Sequence, residues 1–343
     1  MSYIKLIFHN VEPFRIADDS SSQRGQTTTL TYVPGSTIRG AVIYQFIRQG
    51  IFQESEDWLL SQDVRFRNAY PVIREENNQR ELVPSLKGFY EDKKLTAGVK
   101  EIENVLAKGD ITPGYKRAGL GKYCYVSEGC MQYTSIDTDS DMKINIGKQD
   151  NAKRNVFRYQ YVLPGYCFVS YIYVEEEDRK KNQLLKSLTS LKENGLFIGN
   201  SRENGYGRCV IDSITETEDL PYADLCIKEN VKEKVYLYCL SHMSMLDEAG
   251  ENAGLNLAAL EQMMEVTNLR IEGAAASVID VRGYNRKWNC KTPSMTMYEM
   301  GSVFCLSFDG TLKEETICAI QHAGIGVRRE EGCGRILFLD KYQ

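Results

Sequence analysis

At 343 residues the chain is longer than one hydrophobic core usually organises, which favours two domains. Hydrophobic residues make up 42% and charged residues 26%, with 27 Gly and 8 Pro, and this ordinary globular composition excludes a long disordered or low-complexity segment. The net charge of −5 excludes a uniformly basic nucleic-acid coat and confines any RNA or DNA binding to local basic patches.

No apolar run is long enough to span a bilayer, and the N-terminus leads into an alternating strand pattern rather than a signal peptide. The 10 Cys are scattered without a C-x-x-C motif, which is typical of reduced cytosolic thiols that pack as small hydrophobic side chains. The close pair Cys124 and Cys130 has no His nearby, so structural use is favoured over a zinc site. The sequence therefore predicts a soluble, cytoplasmic protein without a membrane contact, a metal or a cofactor.

In chain order, the first predicted elements are a strand over residues 3–8 and a helix over residues 36–48, with Ser36 as its N-cap. One face of this helix carries its apolar residues, which are Ile38, Val42 and Phe46. The Pro-Gly dipeptide before the helix leaves its positive end and free N–H groups facing outward. Ser36 and Arg39 are therefore candidate RNA-binding residues.

Residues 51–95 and 96–158 exceed a minimal α+β plan, and we expect them to be insertions. The first contains a predicted hairpin, in which residues 66–73 and 80–84 flank a turn at residues 76–78. The second is rich in Gly and Lys with weak periodicity, which predicts extended loops that project from the first domain.

The first half closes with a predicted strand, helix and strand. Residues 166–174 are β-rich, and residues 209–211 form the last strand. The helix between them ends at Gly195 and has apolar residues at helical spacing, which are Leu184, Leu185, Leu188 and Leu191.

The second half repeats this order. Its predicted strands are residues 235–240, 302–308 and 336–339. Its first predicted helix is residues 255–264. A capping box of Thr311 and Glu314 is predicted to open its second helix, which Gly324 closes.

A short internal repeat is the most informative feature of the chain. Residues 198–208 align with residues 325–335 at seven of eleven positions. With the flanking elements, the order β-α-β-β-α-β occurs twice, which predicts an α+β fold of two tandem ferredoxin-like, RRM-like domains with Gly-rich loops and long loop insertions. An acidic stretch at residues 216–224 places the boundary, which gives domains of residues 1–218 and 219–343.

The repeated segment has the chemistry of a phosphate site. Two glycines one residue apart suit a turn with positive φ, whose N–H groups form an anion nest, and arginine side chains can donate two hydrogen bonds to a phosphate. The candidate RNA-binding residues of the two copies are Arg202, Gly205, Gly207 and Arg208, and Arg328, Arg329, Gly332, Gly334 and Arg335. The acidic residues Glu203, Glu330 and Glu331 oppose phosphate binding unless they pair with an arginine. A purely structural glycine turn is the alternative.

Two further stretches combine cations with aromatic residues. Residues 143–161 contain Lys143, Lys148, Lys153, Arg154 and Arg158 among Phe157, Tyr159 and Tyr161. Residues 280–291 contain Arg282, Arg286, Lys287 and Lys291 beside Tyr284 and Trp288. Single-stranded RNA is bound by such mixtures of stacking and neutralising side chains. The candidate RNA-binding residues here are Lys153, Arg154, Arg158, Tyr284, Arg286 and Lys287, and a solvated basic face is the alternative.

Catalysis has little support in the sequence. The histidines His9 and His242 end the first predicted strand of each half, where either could act as a general base on a ribose 2′-hydroxyl. No pair of carboxylates stands in a metal-binding context.

Several of these motifs together resemble the RAMP superfamily of CRISPR effector subunits. They are the doubled Gly-rich loop ahead of a final strand, Pro34-Gly35-Ser36-Thr37-Ile38-Arg39-Gly40, Arg282-Gly283-Tyr284-Asn285 and Gly301-Ser302-Val303-Phe304. The stretch from Gly324 to Arg335 looks most like the two-RAMP-domain subunit of type III-D complexes, to which a subunit of type VII complexes is related. Cys333 stands where the family commonly has an aromatic residue.

The resemblance implies a non-catalytic RNA-binding subunit that seats the five-prime repeat-derived tag of the crRNA and caps the backbone filament for RNA-guided target recognition. The implied partners are crRNA, target RNA, repeated RAMP backbone subunits and a large effector subunit or associated nuclease. A projecting thumb is implied within residues 130–160. Two alternatives stay open, a RAMP-type metal-independent endoribonuclease that processes precursor crRNA with His9 or His242 as the base, and a ferredoxin-like scaffold without RNA.

Overall fold

The structure is a computed structural model and describes residues 3–18, 26–50, 59, 61–75, 78–94, 102–127, 130–145, 155–175, 178–218, 222, 225–285 and 290–341. Many strands and few helices make up the described residues, in agreement with the α+β prediction.

The strands before residue 219 are, in chain order, β1 Tyr3–Asn10, β2 Gln26–Thr27, β3 Val64–Phe66, β4 Tyr70–Glu75, β5 Asn78–Glu81, β6 Val83–Pro84, β7 Phe89–Asp92, β8 Ile102–Asn104, β9 Tyr115–Arg117, β10 Tyr123–Ser127, β11 Cys130–Thr134, β12 Thr138–Asn145, β13 Asn155–Val162, β14 Cys167–Val174, β15 Leu196–Phe197 and β16 Arg208–Thr217. The later strands are β17 Val231–Cys239, β18 Met245–Leu246, β19 Asn252–Gly254, β20 Thr267–Ala275, β21 Val278–Asn285, β22 Cys290–Tyr298, β23 Val303–Leu312 and β24 Ile336–Leu339. The helices are α1 Gly35–Arg48, α2 Val105–Lys108, α3 Asp178–Ser190, α4 Leu257–Met264 and α5 Glu314–Ala323.

The chain divides into two compact units. Unit 1 consists of Met1–Leu82, Ile136–Asp219 and Glu330–Gly332, and unit 2 consists of Val83–Ser135, Leu220–Arg329 and Cys333–Gln343. The chain passes from unit 1 to unit 2 after Asp219, next to the predicted boundary at residue 218. The units differ from the predicted domains because residues 83–135 belong to unit 2 and residues 330–332 to unit 1.

Unit 1 is built on a sheet with the order β15-β16-β1-β14-β4-β5, in which β3 also pairs with β14. The first strand, β1, lies between β14 and β16 and is antiparallel to both. Helix α1 packs on β3 and β15, and α3 packs on β16. The predicted face of α1 is confirmed, because Ile38, Val42 and Phe46 are buried.

Unit 2 has a sheet with the order β20-β23-β17-β24, and its core is formed with α4 and α5. Residues 83–135 cover a second hydrophobic cluster on this sheet, in which Val83, Leu86 and Cys124 pack with Leu240 and Val303. This shared apolar cluster is the physical reason why the inserted segment belongs to unit 2. Its sequence periodicity is weak because its strands are short, three to five residues for β8 to β11.

The predicted insertions contain more regular structure than expected. The hairpin within residues 51–95 is confirmed as β4 and β5, with Glu75 opposite Asn78, whereas Val83 and Pro84 pair separately with β10. The prediction of extended loops over residues 96–158 is wrong for the described residues. Strands β12 and β13 form an antiparallel hairpin that begins at Thr138 and ends at Val162.

Two predicted helix caps are wrong. The N-cap of α1 is Pro34, without a side-chain hydrogen bond, and Ser36 lies inside the first turn. Thr311 belongs to β23, and the N-cap of α5 is Lys313, again without a side-chain hydrogen bond. The predicted closing residue Gly324 is confirmed as the C-cap of α5, with a φ of +70°.

The described residues contain no helix that is long and apolar enough to cross a membrane. Within the same ranges, no group of three or more His, Cys, Asp and Glu side chains could hold a metal ion.

Candidate nucleic-acid interface

The first glycine turn, residues 198–208, follows β15 and leads into β16. The Ile198 N–H donates to the Gly207 carbonyl oxygen at 2.8 Å, and the Gly207 N–H donates to Pro13 in the loop after β1 at 2.9 Å. Gly207 has a φ of +91°, and a Cβ there would overlap the carbonyl oxygen of Ile198, whereas a Cβ on Gly205 would meet open space. Glycine is therefore a steric requirement at position 207.

The second glycine turn, residues 325–335, repeats this backbone. Ile325 donates to Gly334 at 2.8 Å, and Gly334 donates to His242 in the loop after β17 at 2.8 Å. Gly334 has a φ of +72°, and a Cβ there would overlap the carbonyl oxygen of Ile325. The internal repeat predicted from the sequence is thus a repeat of hydrogen bonds.

Several N–H groups of the two turns bond within the chain. Asn200 donates to the Arg15 carbonyl oxygen at 2.9 Å, and Val327 donates to that of Ser244 at 3.0 Å. The N–H groups of Arg208 and Arg335 donate to Glu12 Oε2 at 3.2 Å and to Ser241 Oγ at 2.8 Å, respectively. The prediction of an anion nest is wrong at these groups, so the turns offer their side chains rather than these N–H groups to a ligand.

The arginines of the turns have unlike surroundings. Arg208 is exposed, whereas Arg335 is 5% exposed and its guanidinium lies 4.8 Å from the Tyr222 ring centroid. Arg202 donates from Nε to the Gly199 carbonyl oxygen at 3.1 Å. Arg328 and Arg329 are half-buried.

The start of α1 holds the two candidates outside the turns. Ser36 is exposed. Arg39 is half-buried and donates from Nε to the Leu59 carbonyl oxygen at 3.2 Å. Burial lowers the pKa of Arg39, and the charges of Glu330 and Glu331 oppose this effect. Arg39 therefore serves the packing of unit 1 in part, and Ser36 is the more accessible of the two.

The first basic stretch forms the hairpin of β12 and β13. Arg158 and Lys143 are exposed, and Lys143 Nζ lies 3.5 Å from Asp141 Oδ2. The rings of Phe157 and Tyr159 stack at 6.2 Å with an angle of 5°. Lys148, Lys153 and Arg154 lie outside the described residues.

The second basic stretch forms the hairpin of β21 and β22. Arg282 and Lys291 are exposed on it. Arg286, Lys287 and Trp288 lie outside the described residues, as does the side chain of Tyr284.

The two hairpins occupy the same place in the two units. Val162 at the end of β13 exchanges backbone hydrogen bonds with Phe14, and Tyr298 at the end of β22 exchanges them with Met243. Phe14 follows the residue that accepts from the first glycine turn, and Met243 follows the one that accepts from the second. Each unit therefore places a hairpin with cations beside its glycine turn, although no local motif in the sequence connects the two features.

The two histidines are not equivalent. His9 lies within β1, where Nδ1 is 2.7 Å from Asp212 Oδ1, and Arg74 holds the other oxygen of Asp212 at 2.5 Å. His242 is buried in the loop after β17, and its Nδ1 accepts from the Met300 N–H at 3.2 Å. The prediction that both histidines end the first strand of their half is wrong for His242, which follows Cys239, the last residue of β17.

Sequence reasoning missed three residues of this region, which are Arg15, Asp141 and Tyr206. Arg15 lies over the Tyr159 ring at 3.6 Å, and Tyr206 donates to Asp141 Oδ2 at 2.6 Å. Burial and the charge of Asp141 raise the pKa of Tyr206 to about 12. The alternation of Phe157, Tyr159 and Tyr161 was the available signal, because aromatic residues at every second position predict one face of a strand.

Comparisons with known proteins place the chain in a family. No curated protein sequence matches it. Among solved structures, a chain of the Csm3-Csm4 subcomplex in the type III-A CRISPR-Cas interference complex has 11% identity, a TM-score of 0.45 and full coverage of both chains. A chain of the type III-B Cmr-beta complex bound to cognate target RNA and AMPPnP has 15% identity and a TM-score of 0.45, with 92% of this chain and 88% of that chain covered.

In a further type III-B Cmr-beta structure bound to cognate target RNA, the similarity spans 60% of the other chain and 63% of this one, with 14% identity and a TM-score of 0.36. The family model of the RAMP superfamily matches residues 10–210, which is more than half of the chain and includes the first glycine turn. The chain therefore belongs to the RAMP superfamily.

Proposed function

We propose that this chain is the RNA-binding subunit of a type III CRISPR effector ribonucleoprotein that seats the five-prime repeat-derived tag of the crRNA and caps the backbone filament. The observation that carries the proposal is the doubled arrangement in a RAMP protein of a glycine turn beside a hairpin with exposed cations, Arg158 in one unit and Arg282 in the other. Cations beside aromatic rings neutralise and stack single-stranded RNA. The chain then works without catalysis, next to target RNA, repeated RAMP backbone subunits and a large effector subunit or associated nuclease.

The test is binding of a labelled single-stranded RNA that carries the repeat-derived tag, compared with a scrambled tag and with duplex DNA. We expect the tagged RNA to bind more tightly than both, with an affinity that falls as salt rises because phosphate contacts release counterions. Equal affinity for the scrambled tag would contradict the role in tag recognition. Absence of RNA binding would favour the scaffold alternative.

A metal-independent endoribonuclease is the second candidate, and one contact favours it. Asp212 accepts from the His9 imidazole at 2.7 Å, and such a carboxylate fixes the tautomer of a general base. Arg74 on the same carboxylate supplies a cation nearby. Cleavage of precursor RNA in EDTA by the wild type, lost in His9→Ala and absent on a 2′-deoxy substrate, would support this candidate over the seating role.

A further inference from the structure

Arg15 in unit 1 lies at the junction of the first glycine turn and its hairpin. Its carbonyl oxygen accepts from Asn200 in the turn at 2.9 Å. Its guanidinium carbon is 3.6 Å from the centroid of the Tyr159 ring on β13, a distance that only face-to-face stacking allows. Arg15 therefore contacts the turn through its backbone and the hairpin through its side chain.

An aromatic ring rather than a carboxylate holds the Arg15 side chain. In the part of the chain that the structure describes, Arg15 Nε is buried and has no hydrogen-bond partner, and Arg15 forms no salt bridge. A guanidinium that stacks through its face keeps its N–H groups in one plane for an anion. The carboxylate of Asp141, which lies opposite Tyr159 in the hairpin, is occupied by Tyr206 at 2.6 Å and Lys143 at 3.5 Å.

Arg328 lies at the corresponding junction in unit 2. It belongs to the second glycine turn, where its φ is +57°. A Cβ on Gly283 of β21 would lie 3.0 Å from Arg328 Nη2 and 2.5 Å from Thr292 Oγ1. The missing side chain at Gly283 therefore makes the space in which the Arg328 guanidinium lies against the second hairpin.

Arg15 and Arg328 do not occupy equivalent positions in the two units. At the position equivalent to each arginine, the other unit has a serine. Asn200 donates to Arg15 as Val327 donates to Ser244, so the counterpart of Arg15 is Ser244. Ser201, with a φ of +62°, is the counterpart of Arg328. Unit 1 thus carries Arg15 and Ser201, and unit 2 carries Ser244 and Arg328. Each junction receives one arginine, although the two units supply it from opposite sides.

We propose that the junction of glycine turn and hairpin in each unit is a phosphate site for single-stranded RNA, with Arg15 as the ligand in unit 1 and Arg328 in unit 2. This inference rests on the proposed RNA-binding function and deepens it, because it gives the chain two separate phosphate contacts. If each junction needs one cation, either of the two positions can supply it, which explains why the arginine and the serine are exchanged between the units.

The test measures the affinity of a 20-nucleotide oligouridine over a range of salt for the full chain and its variants. Arg15→Ser and Arg328→Ser should each weaken binding about tenfold and reduce the magnitude of the salt slope by about 0.7, the value for one phosphate contact on a single strand. The double variant should lose about twice that slope. The control variants Arg48→Ser and Arg270→Ser remove exposed cations from α1 and β20 and should leave the slope within experimental error.

A relocation variant is the sharpest arm of the test. Arg15→Ser with Ser201→Arg moves the arginine of unit 1 to the position that it has in unit 2, and we expect it to restore affinity and slope to within about twofold of wild type. Arg15→Lys keeps the charge without the planar donor pair and should bind weaker than wild type with an unchanged slope. It also serves if Arg15→Ser proves unstable.

The results separate the two proposals. If the wild type binds and Arg15→Ser and Arg328→Ser behave like the controls, or if relocation fails in a folded variant, the phosphate sites are overturned while RNA binding stands. If the wild type does not bind single-stranded RNA at all, the proposed function and this inference both fall.

Discussion

Arg208 and Arg335 end the two glycine turns at the same backbone position. The carbonyl oxygen of Arg208 accepts two N–H groups from the loop after β1, and that of Arg335 accepts two from the loop after β17. The side chains nevertheless differ, because Arg208 is exposed and Arg335 is buried over Tyr222. The comparison shows that the residues shared by the two turns reflect the backbone conformation that both turns adopt. What each arginine does depends on its neighbours in its own unit.

The largest effect is expected where the two turns are alike. Gly207→Ala and Gly334→Ala should each lower the free energy of unfolding by at least about 3 kcal/mol, because a Cβ would overlap a carbonyl oxygen at a positive φ. Urea denaturation of each variant measures this. Gly205→Ala is the matched control, since its φ is also positive but the space is open, and it should cost about 1 kcal/mol. Equal losses at positions 205 and 207 would contradict the steric account.

The second prediction concerns the arginines themselves. Arg335→Ala should lower the free energy of unfolding by about 2 kcal/mol, because it removes a desolvated cation from the Tyr222 ring. Arg208→Ala should change it by less than about 0.5 kcal/mol, as is usual for surface substitutions.

For RNA affinity we expect the opposite order of effects, with Arg208→Ala larger than Arg335→Ala. Arg208→Ala should weaken binding of tagged RNA, by about 1 to 3 kcal/mol if it contacts a phosphate, whereas folded Arg335→Ala should retain binding. A stable Arg335→Ala variant with impaired binding would show that the second arginine is accessible to RNA.

A smaller effect is expected at one of the four positions that differ between the turns, which is Tyr206 in the first and Cys333 in the second. Tyr206→Phe removes the hydrogen bond to Asp141 and should lower the free energy of unfolding by about 1 kcal/mol. Tyr161→Phe is the control, because its hydroxyl contact with Asp139 is long, at 3.4 Å, and its removal should cost less. An equal loss of unfolding free energy in both variants would contradict a specific contribution of the Tyr206 hydrogen bond to stability.

The smallest effect is expected in the pH dependence of the unfolding free energy, through Glu299, the residue after β22. Burial opposes the charge of Glu299, but hydrogen bonds from Lys87 and Ser277 outweigh it and lower its pKa. Since the folded pKa lies below the unfolded value of about 4.3, the stabilisation is complete above that pH and is lost as pH falls through the folded pKa. Glu299→Gln should therefore flatten the loss of unfolding free energy between about pH 5 and pH 3.

The control for this pH prediction is Glu248→Gln, which removes an exposed carboxyl from unit 2. It should leave the pH dependence as in wild type. A pH profile for Glu299→Gln that matches wild type would show that the Lys87 and Ser277 contacts do not stabilise the charge.

The elements with strong local signals were predictable from the sequence. The apolar face of α1, the closing glycine of α5 and the repeated turn all follow from short-range spacing, and the structure confirms each of them. The helix beginnings were less predictable. Ser36 and Thr311 have the right side chains for caps, but the backbone starts the helices at Pro34 and Lys313 instead.

The candidate site was predictable only in part, because its grouping depends on distant contacts. The sequence marked two basic stretches, but only the bonds of Val162 to Phe14 and of Tyr298 to Met243 reveal them as equivalent hairpins. Arg15 has no local motif, and its role depends on Tyr159, which lies far along the chain and meets it only in the folded unit.

The position of β1 between β14 and β16 has a consequence for synthesis on the ribosome. Tyr3 pairs with Thr217, so β1, which is translated before the other described strands, obtains its second neighbour only when β16 has emerged. At the usual 5 to 20 residues per second this delay is roughly 10 to 40 seconds. Leu6 and Phe8 are fully buried in the folded unit and stay exposed during that interval, so aggregation of the nascent chain competes with its folding.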